Sequence, residues 1–153
     1  MNQNIKKLLM AMAIIYLLFS LFQYMSFMFI RIDNSHADEV SNRLQEQVNN
    51  QQSFIASEVT PFTWDKVYIF SPYTTRNMME EVVGSKWAAS RSYLGWQIEK
   101  RTDPLPDDGI ITFIFVKEDQ VVCDLRWTRE DGDLLFLVEE SPLNYNDEVV
   151  FEK

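Results

Sequence analysis

The groups in this chain that can move protons, attack carbonyls or hold metals are few in kind: one histidine, His36, one cysteine, Cys123, and 23 Asp and Glu. A thiol nucleophile needs a base beside it, and His36 lies far from Cys123 in sequence. Cys123 falls in the alternating run Val121, Cys123, Leu125, Trp127, where a small apolar core side chain is expected. One His and one Cys also leave too few soft ligands for a zinc site. The carboxylates come in groups: Glu80-Glu81, Asp107-Asp108, Glu118-Asp119, Glu130 to Asp133, and Glu139-Glu140. Two acids facing across a cleft would suit glycoside hydrolysis, and oxygen ligands suit calcium. These groups fall mostly in turns or on a helix's polar side, where solvated charge is the ordinary expectation. Asp131-Gly132-Asp133 lacks the spaced acids and final Glu of a calcium loop. No catalytic, metal-binding or cofactor-binding residue is therefore assigned. Trp64, Trp87, Trp96 and Trp127 supply either core or a stacking platform for a sugar or peptide.

What positions these groups is set first by an uncharged run, Leu8 to Ile30, with five Leu, three Ile and four Phe. As a helix its 23 residues reach roughly 35 Å, enough to cross a hydrocarbon core of about 30 Å. Lys6 and Lys7 flank its start, while Arg31 alone lies close beyond its end, before Asp33, Asp38 and Glu39. Positive charge favours the cytoplasmic side, so residues 1–7 are expected as a cytoplasmic tail and residues 8–30 as a signal anchor, with the bulk of the chain outside the membrane. The rival reading is a cleaved signal peptide, since Ser35-His36-Ala37 offers small residues where a signal peptidase reads; the run is longer than a signal core of about 7–15 residues. Either way the domain is exported.

Beyond Ile30 the charge is strongly negative: 14 Lys and Arg less Lys6 and Lys7 leave 12 against 23 acids, a formal −11. Such a domain repels phosphate backbones, so no nucleic-acid partner is expected, and a cationic partner would be steered toward it. A lone cysteine makes no internal disulfide, so the core alone must hold the domain.

Residues 31–60 are polar, with Val40, Leu44, Val48 and Ile55 at near-helical spacing and Asn34 or Ser35 in place to cap. This segment is expected as a stalk, helical or flexible, between the membrane and a domain spanning residues 61–153. In that domain Trp64 to Phe70 reads as a strand, and residues 76–83 as a short helix started by Thr74 or Thr75 and stopped by Gly84, with Met78, Met79, Val82 and Val83 on its apolar face. Leu94, Trp96 and Ile98 alternate with polar or small residues and suggest another strand. Residues 103–109 read as a loop. Ile110 to Val116 is a central strand, Val121 to Trp127 a half-buried one, Leu134 to Val138 a third, and Tyr145 to Phe151 an edge. The expected class is α+β: an antiparallel sheet of about four to five strands and one short helix.

The segment from Phe62 through Trp64, Asp65, Tyr68, Phe70 and Pro72 to Tyr73 reads F-x-W-D-x-x-Y-x-F-x-P-Y. With Gly84 and Trp87, Asp108-Gly109, and Phe115-Val116-Lys117 before Val121-Val122, it resembles small bacterial exported or membrane-anchored proteins of unknown function. The likeness covers about residues 62–122; it implies an extracytoplasmic bacterial domain and no catalytic residues. Period two would place Trp64, Tyr68 and Phe70 on one strand face, as a structural signature of the fold or, with Tyr73, as a partner-binding groove of Trp64, Tyr68 and Tyr73. The leading expectation is thus a non-enzymatic protein- or peptide-interaction module on a membrane anchor. The alternatives are an envelope protein that binds or hydrolyses a sugar or peptide, and an acidic inhibitor or immunity-type protein.

Overall fold

Large apolar residues with no Gly or Pro among them make the first element. In the computed structural model, which describes residues 3–50, 53–102 and 109–150, helix α1 runs over Gln3–Ile30. It is long and apolar enough to cross a membrane, with a mean hydropathy of 2.0, and none of its most apolar stretch is buried against protein. That exposure speaks against a core helix of a water-soluble domain.

The remainder is α+β. Strands β2 (Lys66–Phe70), β3 (Ile110–Lys117), β4 (Gln120–Thr128) and β5 (Leu143–Asn144) form an antiparallel sheet in the order β4-β3-β2-β5. A two-stranded ribbon pairs β1 (Phe54–Ile55) with β6 (Glu148–Val149). Helices α2 (Ala37–Asn50), α3 (Arg76–Val83), α4 (Tyr93–Thr102) and α5 (Phe136–Glu140), with 3-10 turns at Ala56–Val59 and Arg129–Asp131, complete the described elements. β3 is central, and six consecutive residues, Ile111 to Val116, are buried, as its unbroken apolar sequence requires. Its turn into β4 places Glu118 and Asp119 at positive φ, which closes a two-residue hairpin.

The sheet is covered on both faces. Ile111, Phe113 and Phe115 of β3 meet Cys123, Leu125 and Trp127 of β4 on one face, under Val40 and Leu44 of α2 and Leu137 of α5. Ile114 and Val116 point the other way, to Phe70, Trp87 and Val121, with Met79 and Val83 of α3 packed against them. A register shift beside Phe115 and Val116 makes Val122 the extra residue of a bulge. Val121 therefore leaves the face of Cys123, Leu125 and Trp127, on which strict alternation had placed it.

Four expectations are corrected. Residues 37–50 are helical, but not a free stalk: the stripe Val40, Leu44 and Val48 lies in the domain's core, and Phe54, Ala56 and Val59 follow it there. Residues 93–102 form a helix rather than a strand; the positions 94 and 98 that looked like alternation are also one helical turn apart. Leu134 and Leu137 are buried, but Leu134 to Val138 is a turn into α5, not a strand. The expected edge strand is divided: Leu143–Asn144 joins the sheet, Glu148–Val149 joins the ribbon, and Phe151 lies outside the described residues, as does nearly all of the 103–109 loop.

α3 follows its sequence closely. The Thr75 hydroxyl accepts from the Met78 N–H, and Gly84 sits in the left-handed region at φ 75° with its N–H donating to the Glu80 carbonyl. Only half of its expected apolar face is used, since Met78 and Val82 are exposed.

Leu44 gives the sharpest test of the packed α2. Leu44→Ala should destabilise the detergent-solubilised chain by about 2–4 kcal/mol in a denaturant titration, whereas Met78→Ala should change stability by less than about 0.5 kcal/mol. A free stalk would make both substitutions silent.

Candidate functional site

Asp124 is the one carboxylate buried in the sheet, its side chain only 5% exposed. It reaches that position because β4 turns even-numbered residues 124 and 126 away from the Cys123 face. Its Oδ2 accepts from the Trp87 indole N–H at 2.7 Å and from the Arg76 guanidinium at 3.0 Å. Arg76 is the first residue of α3, set there by the Thr75 cap; it also donates to the Trp87 carbonyl, lies 3.4 Å from Glu80, and stacks 3.9 Å from the centre of the Trp87 ring. A buried carboxylate is costly unless paired and hydrogen-bonded, and both conditions are met here. The Asp124 backbone is held as well. Its N–H donates to Asn34 Oδ1 and its carbonyl accepts from Asn34 Nδ2, both at 2.8 Å. Asn34, expected as a helix cap, thus covers the outer edge of β4 instead, a protection that exposed strand edges need.

Around this network lies a concavity of about 550 Å³ between α3, α4, the end of α1 and the exposed end of the sheet. Its size is that of an ordinary ligand pocket. Tyr73 stands on its rim, 63% exposed, and Trp96, Lys86, Lys100 and Arg126 line it. Four cations and three acids line the groove, where the whole chain carries 14 against 23. Two of those acids, Asp124 and Glu80, already face Arg76, which leaves Glu99. The groove therefore presents positive charge beside aromatic surface on a chain that is acidic as a whole.

The residues singled out for a partner groove are not brought together. Trp64 precedes β2 and turns into the other core, its indole donating to Thr60 Oγ1 at 2.9 Å and its ring packed on Phe115 and Tyr145. Tyr68 lies half-buried on the opposite sheet face, stacked on Phe70. Tyr73 alone reaches the concavity. Asp65, next to Trp64, accepts from the Glu118 N–H at 2.7 Å. Of the tryptophans, Trp64, Trp87 and Trp127 are core, and only Trp96 offers a half-exposed face. Sequence reasoning passed over Arg76, Lys86 and Arg126, which become neighbours only when α3 folds onto β4. The signal available was Thr75-Arg76 at a helix start and an acid at an inward strand position.

Cys123 is buried, and desolvation first, with the adjacent Asp124 charge second, pushes its thiol up to about 12. The thiolate needed for attack is thus scarce at neutral pH. His36 is exposed, 3.8 Å from Glu39 and beside the Phe62 ring. No group of three or more metal-ligating side chains is found among the described residues.

No protein-family model, curated protein or solved structure matches this chain.

Two measurements check the site. Asp124→Ala strands the Trp87 N–H and leaves Arg76 with Glu80 as its one acid, and should cost about 2–4 kcal/mol in denaturant unfolding, with a shift in tryptophan emission. At pH 8 Cys123 should resist iodoacetamide in the native protein and react promptly once denatured. Because its thiol is neutral up to about 12 when folded but to about 9.0 in the reference state, it favours folding fully below pH 9 and loses that contribution as pH rises to 12.

Proposed function

We propose that this is a single-pass membrane protein, amino terminus in the cytoplasm and α+β domain on the extracytoplasmic side of a bacterial membrane, that binds a protein or peptide ligand in the groove beside its anchor. Lys6 and Lys7 support the orientation. Retention of the anchor is supported by the junction: Ser35 and His36 form a turn into α2 rather than an extended cleavage site, and the preceding residues are bound to the domain through Asn34 and through backbone bonds between Ile30, Ile32 and Ala88.

The observation that carries the reading is the groove's composition. Cationic and aromatic side chains converge around one concavity on an otherwise acidic molecule, which suits a peptide segment carrying a carboxylate, with Arg126 and Lys86 meeting the charge and Trp96 and Tyr73 the apolar body. The −11 charge beyond α1 favours a second reading, capture of a cationic partner on the acidic surface outside the groove.

A photo-cross-linking residue at Tyr73 tests both in native membranes. The groove reading expects a discrete adduct from Tyr73, none from the same probe at exposed Val82, and loss of the adduct in the Lys86→Glu, Arg126→Glu double variant. An adduct from Val82 instead, weakened by salt, favours the acidic-surface reading.

A further inference from the structure

Helix α4 carries two large, exposed apolar side chains: Leu94 is 73% exposed and Ile98 62%. They stand four residues apart on one helical face. The adjoining face of α4 is docked on the last two turns of α1. Tyr93 packs edge-on against Tyr24 at 5.6 Å and Phe27 at 5.9 Å, and Trp96 lies 5.5 Å from Phe27. The polar groups at this contact satisfy one another: Gln23, in the last third of the apolar run, accepts from the Gln97 amide at 2.7 Å and from the Tyr93 hydroxyl at 3.2 Å.

The depth of that contact follows from length. A hydrocarbon core of about 30 Å, at about 1.5 Å per helical residue, takes about 20 residues. Counted from Lys7, the last charge before the run, those residues end at Phe27 or Met28. The positions that hold α4, namely Gln23, Tyr24 and Phe27, therefore fall in the last few ångströms of hydrocarbon. α4 cannot keep its place on α1 and stay clear of lipid.

We propose that α4 is a membrane-interface helix whose Leu94–Ile98 face is seated among the acyl chains of the leaflet nearest the domain. The proposal rests on the reading of α1 as a membrane span. The occupant of this face is lipid because the face adjoins α1, whose most apolar 18-residue stretch is uncovered. The other side chains of α4 fit the same level. Tyr24, Tyr93 and Trp96 form an aromatic cluster of the kind enriched at membrane–water boundaries. Arg91 and Lys100 bracket the apolar pair, and Lys100 sits 5.2 Å over the Trp96 ring, on the groove side. Trp96, Glu99 and Lys100 line the groove while Leu94 and Ile98 do not, so one short helix separates lipid from groove and holds the mouth of the groove at headgroup level.

The test is nitroxide labelling of the full chain in phosphatidylcholine vesicles. Labels go on Leu94→Cys, Ile98→Cys, Glu99→Cys and Leu17→Cys, one at a time; buried Cys123 is left in place and unlabelled. Collision with oxygen marks lipid, and collision with a water-soluble nickel chelate marks solvent. Labels at 94 and 98 should show an oxygen-to-nickel ratio several-fold above that at 99, and below that at 17. If 17 reads lipid while 94 and 98 read water, the interface helix is overturned and the span survives. If 17 reads water, the span falls and the proposal with it. Low access to both reagents at 94 and 98 means a protein cover, such as a second copy, and also overturns it.

Discussion

Asp124 joins four parts of the molecule that are distant in sequence. Its carboxylate takes the Trp87 indole and the Arg76 guanidinium; its backbone takes both ends of the Asn34 amide. In a dry setting each of these groups would be costly alone, so each makes the others' positions obligatory. The start of α3, the segment before α4, the edge of β4 and the chain leaving α1 are thereby fixed against one another. Among the described residues no buried side-chain polar atom lacks a partner, which shows how completely this arrangement is satisfied.

This constraint joins the end of α1 to the domain that follows it. A polar segment after an apolar helix would ordinarily serve as a tether. Here Ile32 donates to Ala88, Ala88 donates to Ile30, and Asn34 replaces a neighbouring strand at the edge of the sheet. The chain then enters α2, whose Val40 and Leu44 are as deeply buried as any residue of the sheet. The groove is a consequence of the same geometry: its walls are α3 and α4, and the end of α1 closes one side. A concavity built this way cannot turn freely relative to α1; its position is set by the docking of α4 on residues 23–27.

The elements legible in the sequence were those whose signals are local. Thr75 and Gly84 bracket α3 because a hydroxyl at the start and a left-handed glycine at the end answer to backbone groups within one turn. The long run of Ile110 to Val116 could hardly be other than a central strand. What was misread depended on partners. Leu94, Trp96 and Ile98 fit either period over five residues, and what decides for helix is the α1 surface that accepts Tyr93 and Gln97. The stripe of α2 was recognised, but the surface it buries against was not visible. Trp64 stood in phase with Tyr68 and yet faces the other core, because residues 64 and 65 precede the strand and do not share its pleat. The groove was the least legible feature: Tyr73 was foreseen, whereas Arg76, Lys86 and Arg126 gave no sign of converging.

The sequence by itself determined an apolar helix able to span a membrane and an acidic α+β domain after it. These follow from composition and short-range period, which act within a turn or a strand. The tertiary structure alone decided that the helix end is part of the domain, that Asp124 is its hub, and that the scattered cations share one concavity. Those outcomes depend on desolvated contacts between residues as far apart as 34 and 124, and such pairings have no energy until the chain has folded around them.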